Sequence, residues 1–305
     1  MSRLIARRLV EAVLALAAMA VIMFFLLHLD HASPARAMLG KEWTPQKGAA
    51  LTVALGLDRP VPVQFVLWFK SLVSVSGLGE IIRYQLPPTL EIFALGSALG
   101  YGITVWLARI QIRYAGSVVD AALTVTLSLL GAVPGFVIGL VLLYVLAIHW
   151  LVLPATAFTP SGAAFPSWVF HHILPIVALA VTVVGPWTRQ LRGSMAEEAA
   201  AEYVRTARAK GAWESRIISH HIFKNALLPF ITLVGLSMPT MINTVIALDL
   251  IFGVRGAGAA LLGSLYALFF ARATTVALVL AAVTVLGSMA ADIAYCLIDP
   301  RIEYR

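Results

Sequence analysis

Charge is scarce in this sequence. Asp, Glu, Lys and Arg make up 12% of its 305 residues, 60% are hydrophobic, and the mean hydropathy is +0.90. A soluble domain of this length could not hide so much apolar surface, so the solvent is lipid. Cysteine is nearly absent. Cys296 stands alone in an apolar run, which excludes an intrachain disulfide. A phosphate-binding loop is missing as well: no G-x-x-x-x-G-K-[ST] occurs, since Gly40-Lys41 is followed by Glu42 and lacks the upstream glycine. ATP hydrolysis by that mechanism is excluded, and with it a self-contained motor.

What is present is a series of apolar segments. A helix that crosses a bilayer needs about 20 apolar residues, and six segments qualify: 9–29, 90–108, 118–147, 168–188, 226–252 and 274–297. The expected fold class is an all-α integral membrane protein with six transmembrane helices. Residues 1–30 form the N-terminus and first span. Residues 31–89, with Pro34, Pro45, Pro60, Pro62, Pro87 and Pro88, form an extramembrane loop with short local structure. Residues 90–305 form a five-helix core with a large connection at 189–225. A cleaved signal peptide is a rival for the first span, given Arg3, Arg7 and Arg8 before it and Ala35-Arg36-Ala37 after it. Its apolar run is too long and ends too early for that, so a retained helix is expected.

Segments 1–8, 109–117, 189–225 and 298–305 carry 14 of the 22 Lys and Arg, although the opposite connections are longer. Basic residues concentrate on the cytoplasmic side, so both termini and the 189–225 loop are expected there. The net charge of +7 follows from those loops and needs no nucleic acid to explain it.

Within that loop the stretch Glu202-Tyr203-Val204-Arg205-Thr206-Ala207-Arg208-Ala209-Lys210-Gly211 is charged in a chain that is otherwise apolar. No Pro or Gly interrupts 195–209, so one helix is expected there, with Ala199, Tyr203 and Ala207 on one face and Arg205 and Arg208 on another. Gly211 breaks the run, and a second amphipathic piece from Trp213 to Phe223 leads to Asn225 and Pro229. Two roles fit these residues: a surface helix lying on anionic headgroups, or a docking element whose small residues enter a partner's cleft.

This stretch, followed by His221 and Asn225-Ala226-Leu227-Leu228-Pro229, resembles the "DYVRTARAKG" and "H…NALLP" loop signature of binding-protein-dependent ABC importer permeases, in the dipeptide, oligopeptide and nickel branch. The resemblance extends to "RRL" (7–9), "LGLDRPVPVQFVLW" (55–68), "LPPTLEI" (86–92), "VPGFVIGLVLLY" (133–144), "HHILPIVALA" (171–180) and "LIDPRIEYR" (297–305), and is to the family's first permease subunit. It implies the type I ABC importer permease fold in a bacterial inner membrane, for a chain that is not itself an enzyme. This subunit and a second homologous permease would each form half of the pathway for a peptide or related solute. Two ABC ATPase subunits, or one fused, would bind ATP and Mg on the cytoplasmic side, so this chain would carry no cofactor. An extracytoplasmic binding protein would deliver the solute. Glu202–Gly211 would be the coupling helix, with Arg205, Arg208 and Lys210 facing acidic groups on the ATPase.

Three places depart from the family's pattern. Arg255-Gly256-Ala257-Gly258 stands where it has "PGLG", Phe270-Ala271-Arg272-Ala273 where it has "D-Y-P", and Asp30-His31-Ala32-Ser33-Pro34 where it has "PGDP". All three lie on the side opposite the coupling loop, so they bear on partner and solute rather than on mechanism.

Other residues carry less specific signals. Asp249 and Asp292 are ionisable groups in or near apolar spans, where such residues face a bundle interior or an aqueous path. Capping of the next turn and a pathway role both fit Asp249; for Asp292 a salt bridge with Arg189 or Lys224 is expected. Adjacent histidines in a helix diverge by about 100°, so His171-His172 and His220-His221 suit interfaces better than metal; His28 and His31 with Met23 and Met38 are weak nickel candidates. Gly131, Gly135 and Gly139, with Gly96 and Gly100, suggest close helix packing or a lined passage, and Pro134 a kink. The alternative function is a stand-alone channel or secondary transporter, but no inverted repeat or ion site of that kind is visible. A membrane-embedded enzyme would need a convergent set of reactive side chains, which the apolar spans lack.

Overall fold

A computed structural model describes residues 2–28, 34–54, 56, 58–74, 76–159, 164–267 and 269–298. Among them no strand occurs. The principal helices are α1 (Ser2–His28), α2 (Val61–Ser74), α3 (Leu86–Arg113), α4 (Val118–Ala132), α5 (Gly135–Leu142), α6 (Phe165–Ala199), α7 (Glu202–Ala209), α8 (Phe223–Ile251), α9 (Ala257–Tyr266) and α10 (Phe270–Ile298). Five helical stretches are long and apolar enough to cross a membrane, and six if the bent pair Val118–Ala132 and Gly135–His149 counts as one span. The chain packs as two compact units, one built from 1–90 with 253–286, the other from 91–252 with 287–305.

The third expected span is broken rather than kinked. Its two halves meet at 99°. Val133 and Pro134 are both extended there. Proline offers no N–H to the preceding turn and its ring crowds the carbonyl four residues back, so the helix ends at Ala132 and restarts at Gly135.

Elsewhere helices run past the expected ends. α6 has 35 residues, about 52 Å at 1.5 Å per residue, well over a hydrocarbon core of about 30 Å. Residues 189–199, expected in the connection, therefore continue the span as a rigid extension. The segment before α3 is helical too, as a wide π turn over Ile81–Gln85. Pro87 and Pro88 cannot donate to the carbonyls of Arg83 and Tyr84, and a wider turn accommodates that deficit.

In the first unit, the stretch expected as a polar loop contains an apolar helix. α2 places Phe65, Trp68 and Leu72 against Ala20, Met23 and Phe24 of α1, with Leu278 of α10 beside them. Phe24 meets Phe65 edge-on at 5.3 Å and Trp68 at 5.5 Å. Ala20 and Phe24 four residues apart on α1, and Phe65, Trp68 and Leu72 at i, i+3 and i+7 on α2, produce the seam.

The second unit is held by close approach. A Cβ added to Gly96 would meet Leu179, one added to Gly100 would meet Val183, and ones on Gly135 and Gly139 would meet Thr244 and Leu248, all below 3.0 Å. Packing thus accounts for these glycines. The closest approach to backbone was not singled out from sequence: a Cβ on Gly185 would lie 2.5 Å from the Leu127 carbonyl and 3.0 Å from the Gly131 nitrogen. Those neighbours are backbone and cannot swing aside. Gly185→Ala should therefore force α4 from α6 at a cost of about 1–3 kcal/mol, measured as a lower melting temperature in detergent. Gly193→Ala, with no atom near its Cβ position, should leave melting unchanged, and equal effects of the two would contradict this packing.

Candidate functional site: the loop between α6 and α8

Two ridges prepare this loop. Val183, Trp187, Leu191 and Met195 repeat at four-residue steps on α6, and Ile218, Ile222, Ala226 and Phe230 do so on the returning arm. All are buried in one core cluster. Trp187 meets Phe230 edge-on at 5.8 Å and donates its indole N–H to Ser237 Oγ at 3.3 Å. The arm starts at Glu214, widens into a π turn over Ile217–Ile222 and runs straight into α8. The loop is thus the continuation of two packed spans.

α7 closes the end of this pair. The single helix expected over 195–209 is instead two. Ala200 ends α6 and Ala201 is extended at φ −68, ψ 146. No Pro or Gly dictates that break. Its reason is tertiary: the turn brings Val204, fully buried, into the cluster of Met195, Ile217 and Ile222. Ala199 and Ala207 pack against the same cluster. The small residues expected to enter a partner's cleft therefore face inward on this chain's own core.

Gly211 ends α7 as expected, at φ +76. Its N–H donates to the Arg208 carbonyl (2.9 Å), and that of Ala212 reaches back to Ala207 (3.1 Å). This is the Schellman arrangement, in which a left-handed residue just past the helix satisfies its last carbonyls. Glycine takes that conformation without a Cβ clash.

Polar clasps hold the tip. Arg208 spans the turn to Glu214 with two contacts, Nη2 to Oε1 at 2.9 Å and Nε to Oε2 at 3.3 Å. Arg205 pairs with Glu202 at 2.9 Å on the exposed face. The Tyr203 hydroxyl donates to Glu198, accepts from Asn225 Nδ2 at 2.8 Å, and lies 3.4 Å from the His221 carbonyl. Burial, then the Glu198 bond, push the Tyr203 phenol above its ordinary pKa, so it stays a donor at neutral pH. Lys210 is exposed and makes no ion pair among the described residues, and Trp213 is 83% exposed.

The base of the loop carries a bridge that sequence reading missed. Arg192 on α6 grips Asp120 of α4, Nε to Oδ1 at 2.8 Å and Nη2 to Oδ2 at 2.5 Å. Gln111 Nε2 and the Gly116 N–H also donate to that carboxylate, at 3.2 and 3.1 Å. Ser117 caps α4 by accepting from the Asp120 N–H. The Ser-x-x-Asp spacing is a legible capping signal; the distant arginine is not.

The remaining candidates lie apart from this surface. Asp249 is fully buried in α8 and Asp292 half-buried in α10. His171 and His172 direct Nδ1 to the carbonyls four residues back, Ser167 at 2.8 Å and Trp168 at 2.9 Å. His31 and the side chains of His28 and Met38 lie outside the described residues, and Met23 packs beside Phe24.

The described residues thus form a helical polytopic membrane protein with a braced, charged loop between two long spans. The chain belongs to the family described as "Binding-protein-dependent transport system inner membrane component", whose profile matches residues 100–304; the corresponding N-terminal profile matches residues 1–89. It is 34% identical to the probable peptide ABC transporter permease protein y4tP of Sinorhizobium fredii, over 98% of this chain and 99% of that protein. It is 30% identical to the oligopeptide transport system permease protein AppB of Bacillus subtilis, over 82% and 83%. The chain is a multi-pass permease of the ABC importer type, and a stand-alone channel or secondary transporter is not favoured.

The Asp120–Arg192 bridge generates a stability prediction. Removing one partner of a buried pair costs about 3–5 kcal/mol. Arg192 is 31% exposed, so Arg192→Ala should cost less, roughly 2–3 kcal/mol. In a double-mutant cycle with Asp120→Ala, the two losses should fall short of additivity by about 1 kcal/mol or more. Strictly additive melting shifts would show the bridge to be unimportant.

Proposed function

We propose that this chain is a permease subunit of an ATP-driven peptide importer, and that Glu202–Gly211 is its coupling element. The chain supplies half of the pathway. A second homologous permease supplies the other half, two ABC ATPase subunits (or one fused) bind ATP and Mg, and an extracytoplasmic binding protein delivers the solute. No cofactor is held by this chain. Peptide as the solute is supported by the names of the relatives, a peptide and an oligopeptide permease protein. The coupling role is carried by one observation: α7 is packed and clasped onto the extensions of two spans, so a push on its exposed face moves α6 and α8 together. A helix resting on headgroups has no need of such bracing.

The proposed topology has six spans in a bacterial inner membrane, with 31–89 outside and 189–225 and both termini in the cytoplasm. In a Cys296→Ser background, Lys47→Cys and Lys210→Cys, both at exposed positions, should label from opposite faces of intact cells. Labelling of both from outside contradicts this topology.

Gly211 tests the coupling role. No atom lies within 4 Å of a Cβ there, so substitution acts through the backbone alone. A β-branched residue in the left-handed region costs about 1–2 kcal/mol, and asparagine tolerates it. Gly211→Val should insert normally yet lose ATPase docking and most uptake, while Gly211→Asn keeps both. Normal uptake by the Val variant would favour a headgroup anchor.

Arg208 separates the internal clasp from external pairing. Arg208→Glu sets like charges against Glu214 and should impair uptake. The swap Arg208→Glu with Glu214→Arg rebuilds the clasp and should restore uptake to within about threefold, since rim charges act mainly on association. If the swap stays as defective as the single variant, Arg208 acts directly on the partner.

A further inference from the structure

The first unit contains an open cavity of about 430 Å³, within the usual range of small-ligand sites. Glu80, Tyr84, Gln85, Arg255 and Arg272 line it, together with Gly256 at the start of α9. Glu80 is already engaged: Oε1 accepts from Arg272 Nη2 at 3.1 Å and from Gln85 Nε2 at 3.2 Å. Its lining thus carries two guanidinium groups, from Arg255 and Arg272, and one carboxylate. The helix dipole at the N-terminus of α9 adds a partial positive charge.

These groups match one ligand chemistry. A guanidinium offers a planar fork of donors that fits a carboxylate bidentately. Arg272 is held in place by Glu80 while still reaching the cavity, Arg255 stands on the other strip of chain, and the Tyr84 phenol supplies a further donor. Both arginines line the same cavity although they lie 17 residues apart in the chain.

We propose that this cavity recognises the C-terminal carboxylate of the transported peptide. The proposal rests on the importer reading for the nature of the solute and for placing 31–89 and 253–273 on the side from which solute arrives. The site itself can be tested without transport. Membrane vesicles containing the full chain are treated with phenylglyoxal, which modifies accessible arginine, and the extent at Arg255, Arg272 and Arg205 is read by peptide mass spectrometry. Three probes are compared: trialanine, trialanine amide and inorganic phosphate.

Trialanine should slow modification of Arg255 and Arg272 about threefold or more and leave Arg205 unaffected, while the amide gives no protection. Arg255→Ala should weaken the protection of Arg272 by trialanine about fivefold to tenfold, as loss of a charge-assisted hydrogen bond implies. Arg255→Lys, which keeps the charge and loses the fork, should fall between. Equal protection by the amide, or none by trialanine, overturns the proposal. Phosphate protecting as well as trialanine also overturns it, in favour of a site for inorganic anions. Failure of the importer reading would appear in uptake assays, which this footprint does not use, so the two can fail separately.

Discussion

A carboxylate with 6% of its side chain exposed must have its charge met locally, and Asp120 has it met from three directions. Arg192 reaches it from α6, Gln111 from α3, and the Gly116 N–H from the intervening turn. Buried ion pairs yield little net stability, because desolvation offsets most of the attraction. What they give is geometry: a bidentate fork holds its two helices in one relative position. Arg192 lies two turns before the end of α6. Its grip therefore sets the direction of the extension on which α7 is seated, and the loop inherits that direction.

Beyond the bridge the same rigidity continues by dispersion. The ridges of α6 and the returning arm interlock from Val183 to Met195, and Val204 completes the cluster from above. The spans and the loop thus share one core, with no soft joint between them. The charges of the loop, by contrast, are largely turned to its own use, since Arg205 pairs with Glu202 and Arg208 with Glu214. In the proposed coupling role, shape and the exposed Trp213 and Lys210 would then matter more than the arginine charges that sequence reading put forward.

Much of this was legible in the sequence. Apolar length located the spans, and Gly211 after a charged helix marked a left-handed turn that the backbone adopts. The features that escaped share a cause: each depends on a residue distant in sequence. The break at Ala200-Ala201 has no local breaker and arises from the burial of Val204. The inward turn of Ala199 and Ala207 follows from it. Asp120 reads as a helix cap until Arg192, 72 residues on, is placed beside it. The α2 segment reads as loop because prolines flank it, although its Phe65 and Trp68 have a partner waiting on α1. Gly185 hides within an apolar run whose register against α4 cannot be read from spacing.

The arginines of the cavity and the braced loop belong to different parts of the packing. Arg255 and Arg272 belong to the unit built from 1–90 and 253–286, whereas α7, its clasps and the Asp120 bridge belong to the unit built from 91–252 and 287–305. Neither arginine is part of the core that braces the loop in the second unit. A change of charge at Arg255 alters the lining of the cavity without touching the ridge of Val183 to Met195 or the turn at Gly211. Arg255 and Arg272 therefore stand in a different packing unit from the ridge of Val183 to Met195, and a substitution at either removes no contact from the core beneath the loop.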